Sequence, residues 1–354
     1  MMENKDWYTE RWKNKRALRN KALRQEKREL KPQETEKQDK HSLLLKVYDP
    51  AEAAEHGELG IVANLEYPAF SLLCKGTFIS SSAKTKEQRI VLNQLAIGDN
   101  VIFTRPGQEI VLHGIIRRHS QLARLRVDAS RISQAGAEEH VFAANVDVAV
   151  IVASTVQPAF HTRLVDRYLV LCQYGNVMPI LCLTKIDLAP APDLSMYRNA
   201  DLPVIRISNK THEGIGDIMQ HIKGKRAVLV GNSGVGKSSL VNSLLNKEQQ
   251  STKEVSRKSG KGRHETSSTS LHLLDDSTIL IDTPGIRSLG LWRIDAGSLR
   301  LYYPEFLEFS RDCEFSDCTH SHEPRCAVKK AVENGLIPTE RYGSYMRLLS
   351  EDQH

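Results

Sequence analysis

The 354-residue sequence has no uninterrupted apolar run approaching the ~20 residues of a membrane-spanning helix, so no helical span is expected. The opening stretch, "MMENKDWYTERWKNKR", has no apolar core behind its charges. A secretory signal needs one, so the cytoplasm is the expected location. There are no internal repeats. Six cysteines are too few for a disulfide scaffold of this length. What remains, 40% hydrophobic and 26% charged residues, is the composition of an ordinary folded protein. At roughly 100–200 residues per domain, the length suggests two or three domains.

The net charge of +6 is unevenly spread. Residues 1–40 carry 13 Lys/Arg against 8 Asp/Glu, a net of +5. This basic arm, taken as residues 1–55, is helix-prone but too poor in apolar residues to form a core face. A solvated helical or disordered arm is one reading. Contact with nucleic acid, through phosphate neutralisation and counterion release, is the other.

After the arm, "HGELGIVANLEYPAFSLLCKGTFI", "RIVLNQLAIGDNVIFT" and "EIVLHGIIRR" are short β-rich runs broken by Gly, Pro, Asp and Asn, the texture of a small antiparallel barrel. Lys75, Arg105, Arg117, Arg118, Arg124 and Arg126 stud it, consistent with an oligonucleotide surface or with a barrel that only packs on its neighbour. From about residue 144 the pattern changes. "NVDVAVIVAST", "VMPILCLTKIDL", "LPVIRIS", "RAVLVGNS" and "STILIDTPG" are nearly continuous apolar strands, several separated by helix-compatible segments. That predicts a mostly parallel sheet with helices on both faces. Beyond about residue 296 the chain reads as helical, and the polar stretch 250–270 reads as a mobile loop.

The motif G-x-x-x-x-G-K-[ST] lies between a strand and a helix-compatible run, as Gly231, Asn232, Ser233, Gly234, Val235, Gly236, Lys237 and Ser238. Glycines let backbone N–H groups point at phosphate oxygens. Lys237 is expected on the β- and γ-phosphates, Ser238 on magnesium, and Ser239 with the loop. "LIDTPGI" supplies Asp282 as a second magnesium ligand and Gly285 at D-x-x-G spacing, where its N–H meets the γ-phosphate. Upstream, "TKID" ends a strand. Asp187 can accept from N1–H and the 2-amino group of guanine, neither of which adenine offers, so an ATPase is disfavoured. Lys185 is expected along the base plane, Thr184 in the place of a more usual Asn, and Ser208 and Asn209 of "ISNKTHEGI" on the base.

The guanine-reading half thus precedes the phosphate-reading half, the reverse of the ordinary order. A domain with neighbouring termini tolerates circular permutation, because rejoining them leaves sheet and site unchanged. The expectation is a P-loop GTPase, permuted, over residues 136–295. The strand ending in "DTPGIRSLG" then feeds the C-terminal domain, 296–354, and couples nucleotide state to it.

Cys313, Cys318, His320 and Cys326 offer three thiolates and an imidazole, enough for a closed tetrahedral, structural zinc site. His322 is a rival for the imidazole position, and free buried cysteines are the alternative.

These features together resemble the RsgA (YjeQ) family of bacterial small-ribosomal-subunit biogenesis GTPases. The resemblance rests on "TKID", "GNSGVGKSSL", "GRHETSS", "DTPGIR" and the zinc-ligand spacing, and runs from about residue 56 to the C-terminus. It implies an OB-fold barrel at 56–135 that binds RNA, a central GTPase using GTP/GDP and magnesium, and one structural zinc. It also implies late action on the maturing small ribosomal subunit and its rRNA, ribosome-stimulated hydrolysis, other assembly factors as further partners, and a monomer. A nucleotide-gated RNA scaffold, or a GTPase acting on another RNA, is the alternative function. The family usually reads Gly-x-His-Thr-Thr in its switch loop, whereas here Glu265 follows His264 and Thr266 remains as the switch threonine and magnesium ligand. Ile286 stands where many GTPases place a water-orienting Gln, so intrinsic hydrolysis should be slow. Either His264 completes the catalytic site, with Thr266 and Lys237, when rRNA orders its loop, or the ribosome supplies the missing element.

Overall fold

A computed structural model describes residues 5–29, 45–107, 109–126, 138–251, 269–283, 294 and 296–351. Helix α1 spans Lys5–Glu29, a run of good helix formers free of Gly and Pro. It is not simply solvated: Trp12 and Arg19 are buried against the body of the protein.

The first sheet has six strands: β1 (Lys46–Tyr48), β2 (Glu58–Glu66), β3 (Ala69–Cys74), β4 (Thr77–Ser82), then β5 (Asn100–Thr104) and β6 (Val111–Ile116) after helix α2 (Lys86–Leu92). Their order is β1-β6-β5-β2-β3-β4, antiparallel except for the β1–β6 pair. Residues 46–48, expected in the arm, therefore belong to this sheet. The "RIVL" run at 89–92, expected as β, is the end of α2. Its helix is nucleated by a capping box: Thr85 accepts from the Gln88 backbone and Gln88 reaches back to the Thr85 N–H. Three of the basic residues expected to mark an oligonucleotide surface are engaged in ion pairs. Arg105 pairs with Glu58 (2.7 Å), Arg117 with Asp49 (2.9 Å), and Arg118 with the buried Asp99 (2.7 Å).

Strands β7 (Gln121–Arg126) and β8 (Glu138–Ala144) form an antiparallel ribbon that crosses the boundary expected at 135/136. Next come β9 (Val148–Ser154), α3 (Thr162–Gly175), β10 (Met178–Thr184), β11 (Val204–Arg206), α4 (Ile215–Ile222), β12 (Arg226–Val230), α5 (Lys237–Ser251), β13 (Ser270–Leu273) and β14 (Ile279–Asp282). The central sheet runs β11-β10-β9-β12-β14-β13, parallel but for the edge strand β13. Every residue of β9 is buried. Ala149, Ile151 and Ala153 pack on the α3 side, and Val148, Val150 and Val152 on the side of α4 and α5. Burial of both faces is what makes these strands continuously apolar. Strand β13 carries only one fully buried residue, Leu271, and falls at the end of the stretch expected to be loop.

The C-terminal segment is less helical than expected. It holds α6 (Ala296–Leu299), single 3₁₀ turns at 300–302 and 310–312, α7 (Ala327–Glu333) and α8 (Thr339–Glu351). Its core is aromatic: Tyr303, Phe306 and Tyr345 lie with ring centroids 5.1 Å apart. A buried polar knot fastens it to α3. Arg341 of α8 donates to Asp166 of α3 at 2.6 Å and to Glu305, while Ser344 donates to Asp166. The guanidinium lies 4.3 Å over the Tyr303 ring.

Candidate functional site

The C-terminal ends of β10 and β12 bring the two separated motifs together. Three glycines of the β12–α5 loop have positive φ, at 146° (Gly231), 79° (Gly234) and 97° (Gly236). Close approach explains two of them. A Cβ on Gly231 would sit 2.3 Å from the Val152 carbonyl. On Gly236 it would meet Asn209 Nδ2 at 3.3 Å and Thr184 Oγ1 at 3.6 Å. Asn232 is half-buried, Ser233 and Gly234 are exposed, and Val235 anchors the loop in the core. Ser238 and Ser239 follow Lys237 in the first turn of α5, and both are exposed.

Lys237 is 7% exposed and folds its amine back on the loop, donating to the Gly231 and Asn232 carbonyls at 2.8 Å each. Burial lowers its pKa, and the nearby Asp282 carboxylate opposes the shift. Asp282 ends β14, next to β12, and burial raises its pKa while Lys237 pulls it down. Its Oδ1 is buried with no hydrogen-bond partner among the described residues. An orphaned carboxylate oxygen in a buried site is costly unless a cation or donor completes it, and magnesium fits this donor. The adjacent Thr283, at an unspecified position of D-x-x-G, donates from its hydroxyl to the Leu229 carbonyl at 2.6 Å and locks the ends of β14 and β12 together.

The guanine-motif residues close on the same loop. Thr184 is fully buried, and its hydroxyl donates to the Val235 carbonyl at 2.6 Å. Thr in place of Asn therefore still buttresses the phosphate loop. Lys185, at φ 62°, donates to the Gly234 carbonyl at 2.9 Å and to the Gln157 carbonyl. Asp187 is exposed at the rim of the site. Asn209 accepts from Ser243 of α5 at 3.4 Å. Ser208 is buried, and its hydroxyl accepts from the backbone N–H groups of Lys210 (3.2 Å) and Thr211 (3.1 Å), so it shapes the turn that carries Asn209. Sequence reasoning missed the segment after β9: Ser154 donates to the Pro158 carbonyl at 2.7 Å, and Pro158 Cδ lies 3.7 Å from where a Gly234 Cβ would be. Its only signal is a Gln-Pro pair at a strand end. His264, Thr266 and Gly285 lie outside the described residues.

The second cluster is in the C-terminal segment. The ligand atoms of Cys313, Cys318, His320 and Cys326 all lie within 4.8 Å of one another. His320 Nδ1 is 3.6 Å from the Cys313 sulfur and 3.4 Å from that of Cys326, and those two sulfurs are 3.9 Å apart. Zn–S bonds of ~2.3 Å and Zn–N bonds of ~2.0–2.1 Å at tetrahedral angles require edges of about 3.8 Å (S···S) and 3.6 Å (S···N). The donor set therefore fits zinc, with all four positions filled by protein. His322 instead meets the Ser321 hydroxyl at 3.0 Å, which assigns the imidazole position to His320. Burial pushes the Cys318 thiol up to about 12 and the His320 imidazole down to about 4, so the imidazole is neutral, as a ligand must be. The ligand loop is folded on Glu323, which accepts from the Thr319 N–H and hydroxyl and from the Ser321 N–H.

The profile of the RsgA GTPase family matches residues 115–292. The small ribosomal subunit biogenesis GTPase RsgA of Chlorobaculum parvum is 40% identical over 266 residues, 73% of this chain and 85% of that protein. The RsgA of Shewanella oneidensis is 36% identical over 284 residues, 75% of this chain and 77% of its own. Among solved structures, YjeQ from Thermotoga maritima superposes with a TM-score of 0.64 at 28% identity, covering 84% of this chain and 98% of that one. YloQ, described as a circularly permuted GTPase, superposes at 0.62 with 29% identity, covering 84% and 96%. The reversed motif order, the strand ends on which the motifs meet and these relatives agree: the chain belongs to the RsgA GTPase family.

Proposed function

We propose that this protein is a magnesium-dependent GTPase that binds the small ribosomal subunit and acts late in its maturation. The observation that carries the nucleotide half is the Thr184–Val235 hydrogen bond, which joins the guanine and phosphate motifs into one site. The ribosomal half rests on the named relatives. In this reading Asp187, with Lys185 and Asn209, reads guanine, and Gly231 to Ser239 cradle the phosphates. Lys237 exchanges two neutral carbonyl acceptors for phosphate oxygens, and charge-assisted bonds are roughly twice as strong as neutral ones. Ser238, Asp282 and Thr266 are the residues that would hold magnesium, which when bound neutralises charge between the β- and γ-phosphates. Gly285 meets the γ-phosphate. Cys313, Cys318, His320 and Cys326 hold a structural zinc. The first sheet is read as an RNA-binding OB-fold barrel over 56–135, preceded by the basic arm and followed by the GTPase domain to 295 and the zinc domain to 354. A cytoplasmic monomer is the working state.

Phosphoryl transfer depends on positioning a water and stabilising charge. Ile286, the residue after Gly285, has an apolar side chain that cannot orient water. His264 is assigned this role once rRNA orders its loop. The test is GTP and ATP hydrolysis by the protein alone and with small subunits, large subunits or bulk RNA. Slow basal GTPase activity, raised many-fold by small subunits alone, is expected. Stimulation by any structured RNA, or by none, would remove the ribosomal assignment and leave the nucleotide site standing. His264→Ala should abolish stimulated turnover while keeping GTP affinity, and unchanged turnover would end that assignment.

A further inference from the structure

Helix α1 divides its cations between two tasks. Arg11 and Lys15 converge on the carboxylate of Asp201 at 2.7 and 2.6 Å, and that carboxylate is 5% exposed. Arg19, 3% exposed, donates to Gln173 Oε1 at 2.5 Å and to Asn176 Oδ1 at 3.0 Å. Asn176 is the left-handed C-cap of α3, so Arg19 sits at the negative end of that helix dipole. Trp12 packs into the apolar cluster that includes Val148 and Met178, the first residues of β9 and β10. These contacts hold α1 on the side of the sheet opposite the nucleotide loops.

The docked helix also forms one wall of a cavity of about 390 Å³. Leu18, Lys21 and Ala22 line it from α1, facing Arg300, Leu307 and Arg311 of the C-terminal segment. Of the cations that line this cleft, Arg300 donates to the Gly297 carbonyl at 3.0 Å, which leaves Lys21 and Arg311 as the pair for a ligand, and no carboxylate is among the described residues that line it. Lys21 and Arg311 are exposed. Gathering like charges around one cleft costs free energy unless an anion is drawn in.

We propose that this cleft is a seat for the phosphodiester backbone of RNA, assembled only when α1 is docked on Asp201 and the end of α3. Apart from the cations the lining is Leu18, Ala22, Leu301, Leu307 and Ser310, whose hydroxyl donates to the Leu307 carbonyl at 3.4 Å, so the contact is to the backbone and independent of sequence. Docking and RNA binding are then coupled: RNA held by Lys21 and Arg311 stabilises α1 in place, and loss of the Asp201 latch weakens RNA binding. The identification of the RNA as that of the small subunit rests on the function proposed above; the cleft itself does not.

The test uses the full chain with two probes, isolated small subunits and a 20-base-pair RNA duplex of arbitrary sequence. Lys21→Glu/Arg311→Glu should weaken binding to both by about tenfold or more. The slope of log K against log[salt] should become shallower by about two, because two phosphates are no longer neutralised. Lys21→Glu alone, which lies on α1 and far in sequence from the zinc ligands, should give about half of that change in slope. Asp201→Ala should weaken binding in the same direction, with little further loss when Lys21→Glu is added. Unchanged duplex affinity in the double variant, or a parent protein that binds no duplex, overturns the cleft. A parent that binds the duplex but not small subunits leaves the cleft in place and removes the ribosomal reading.

Discussion

Replacing Thr184 by Val keeps the volume of the side chain and removes one hydroxyl. That hydroxyl makes a 2.6 Å bond to the Val235 carbonyl in a fully buried position. A buried acceptor left without its partner costs roughly 1–3 kcal/mol. The carbonyl belongs to the phosphate loop itself, between Gly234 and Gly236, so it recovers a partner only if the loop shifts. A loop that shifts no longer presents its N–H groups together, and the cost is transferred to the bound state. About 1–3 kcal/mol corresponds to a 5- to 150-fold change in an equilibrium constant, and roughly tenfold weaker GDP and GTP binding is expected. Titration with a fluorescent GDP analogue measures this, with urea unfolding of the nucleotide-free protein as the companion. Thr184→Ser, which keeps the hydroxyl, should restore most of the affinity. If Thr184→Val loses stability but binds GDP within twofold of the parent, the bond only supports the fold, and the claim that it joins the two motifs is wrong.

Arg341→Met leaves Asp166 and Glu305 buried without their cation, and breaking such a knot costs about 3–5 kcal/mol, to be read from urea unfolding; a loss below about 1 kcal/mol would show that water enters the site. Metal analysis should find one zinc per chain, and Cys318→Ser or prolonged chelation should expose residues 300–351 to limited proteolysis while GDP binding persists. Burial holds the pKa of His272 below its ordinary value of 6.5, beside Ser270 at 3.1 Å. The unfolded chain therefore takes up a proton that the folded chain refuses as pH falls below about 6.5, stability declines over that range, and His272→Gln should remove that part of the decline.

The parts of the fold that could be read from sequence are those in which backbone chemistry dictates residue type. The phosphate loop needs glycines where a Cβ would strike the Val152 carbonyl, and doubly covered strands need continuous apolar runs such as "VAVIVAS". The cysteine and histidine spacing was similarly legible, though only the folded geometry separates His320 from His322. What was not legible depends on partners distant in sequence. Arg19 looks like a solvated charge until Gln173, 154 positions away, is placed against it. The basic residues of the first sheet suggest a free cationic face, but Arg105, Arg117 and Arg118 each meet a carboxylate brought in by the fold. Arg89–Leu92 carries strand-like side chains, and a two-residue capping box just upstream overrides them. Strand β13 was hidden because an edge strand buries little and so leaves little apolar signature.

The permuted order invites the expectation that nucleotide state moves the zinc module, because β14 leads directly into residues 284–295 and then α6. The buried knot on α3 argues for a narrower movement. Asp166 and Arg341 are essentially unexposed, and separating them costs about 3–5 kcal/mol. Coupling free energies between ligand sites are typically about 1–3 kcal/mol, too small to open that contact. Helix α3 is in turn tied to the phosphate loop through the segment that precedes it, because Lys185 donates both to the Gln157 carbonyl of that segment and to the Gly234 carbonyl of the loop. The module should therefore ride with α3 as one body, and the nucleotide should act on the chain between Asp282 and α6. Amide hydrogen exchange with GDP and with a non-hydrolysable GTP analogue tests this. Differences are expected in the segment joining β14 to α6 and none at 341–348 of α8. Exchange at 341–348 that follows the nucleotide would mean that the knot opens and that nucleotide binding outweighs the buried ion pair.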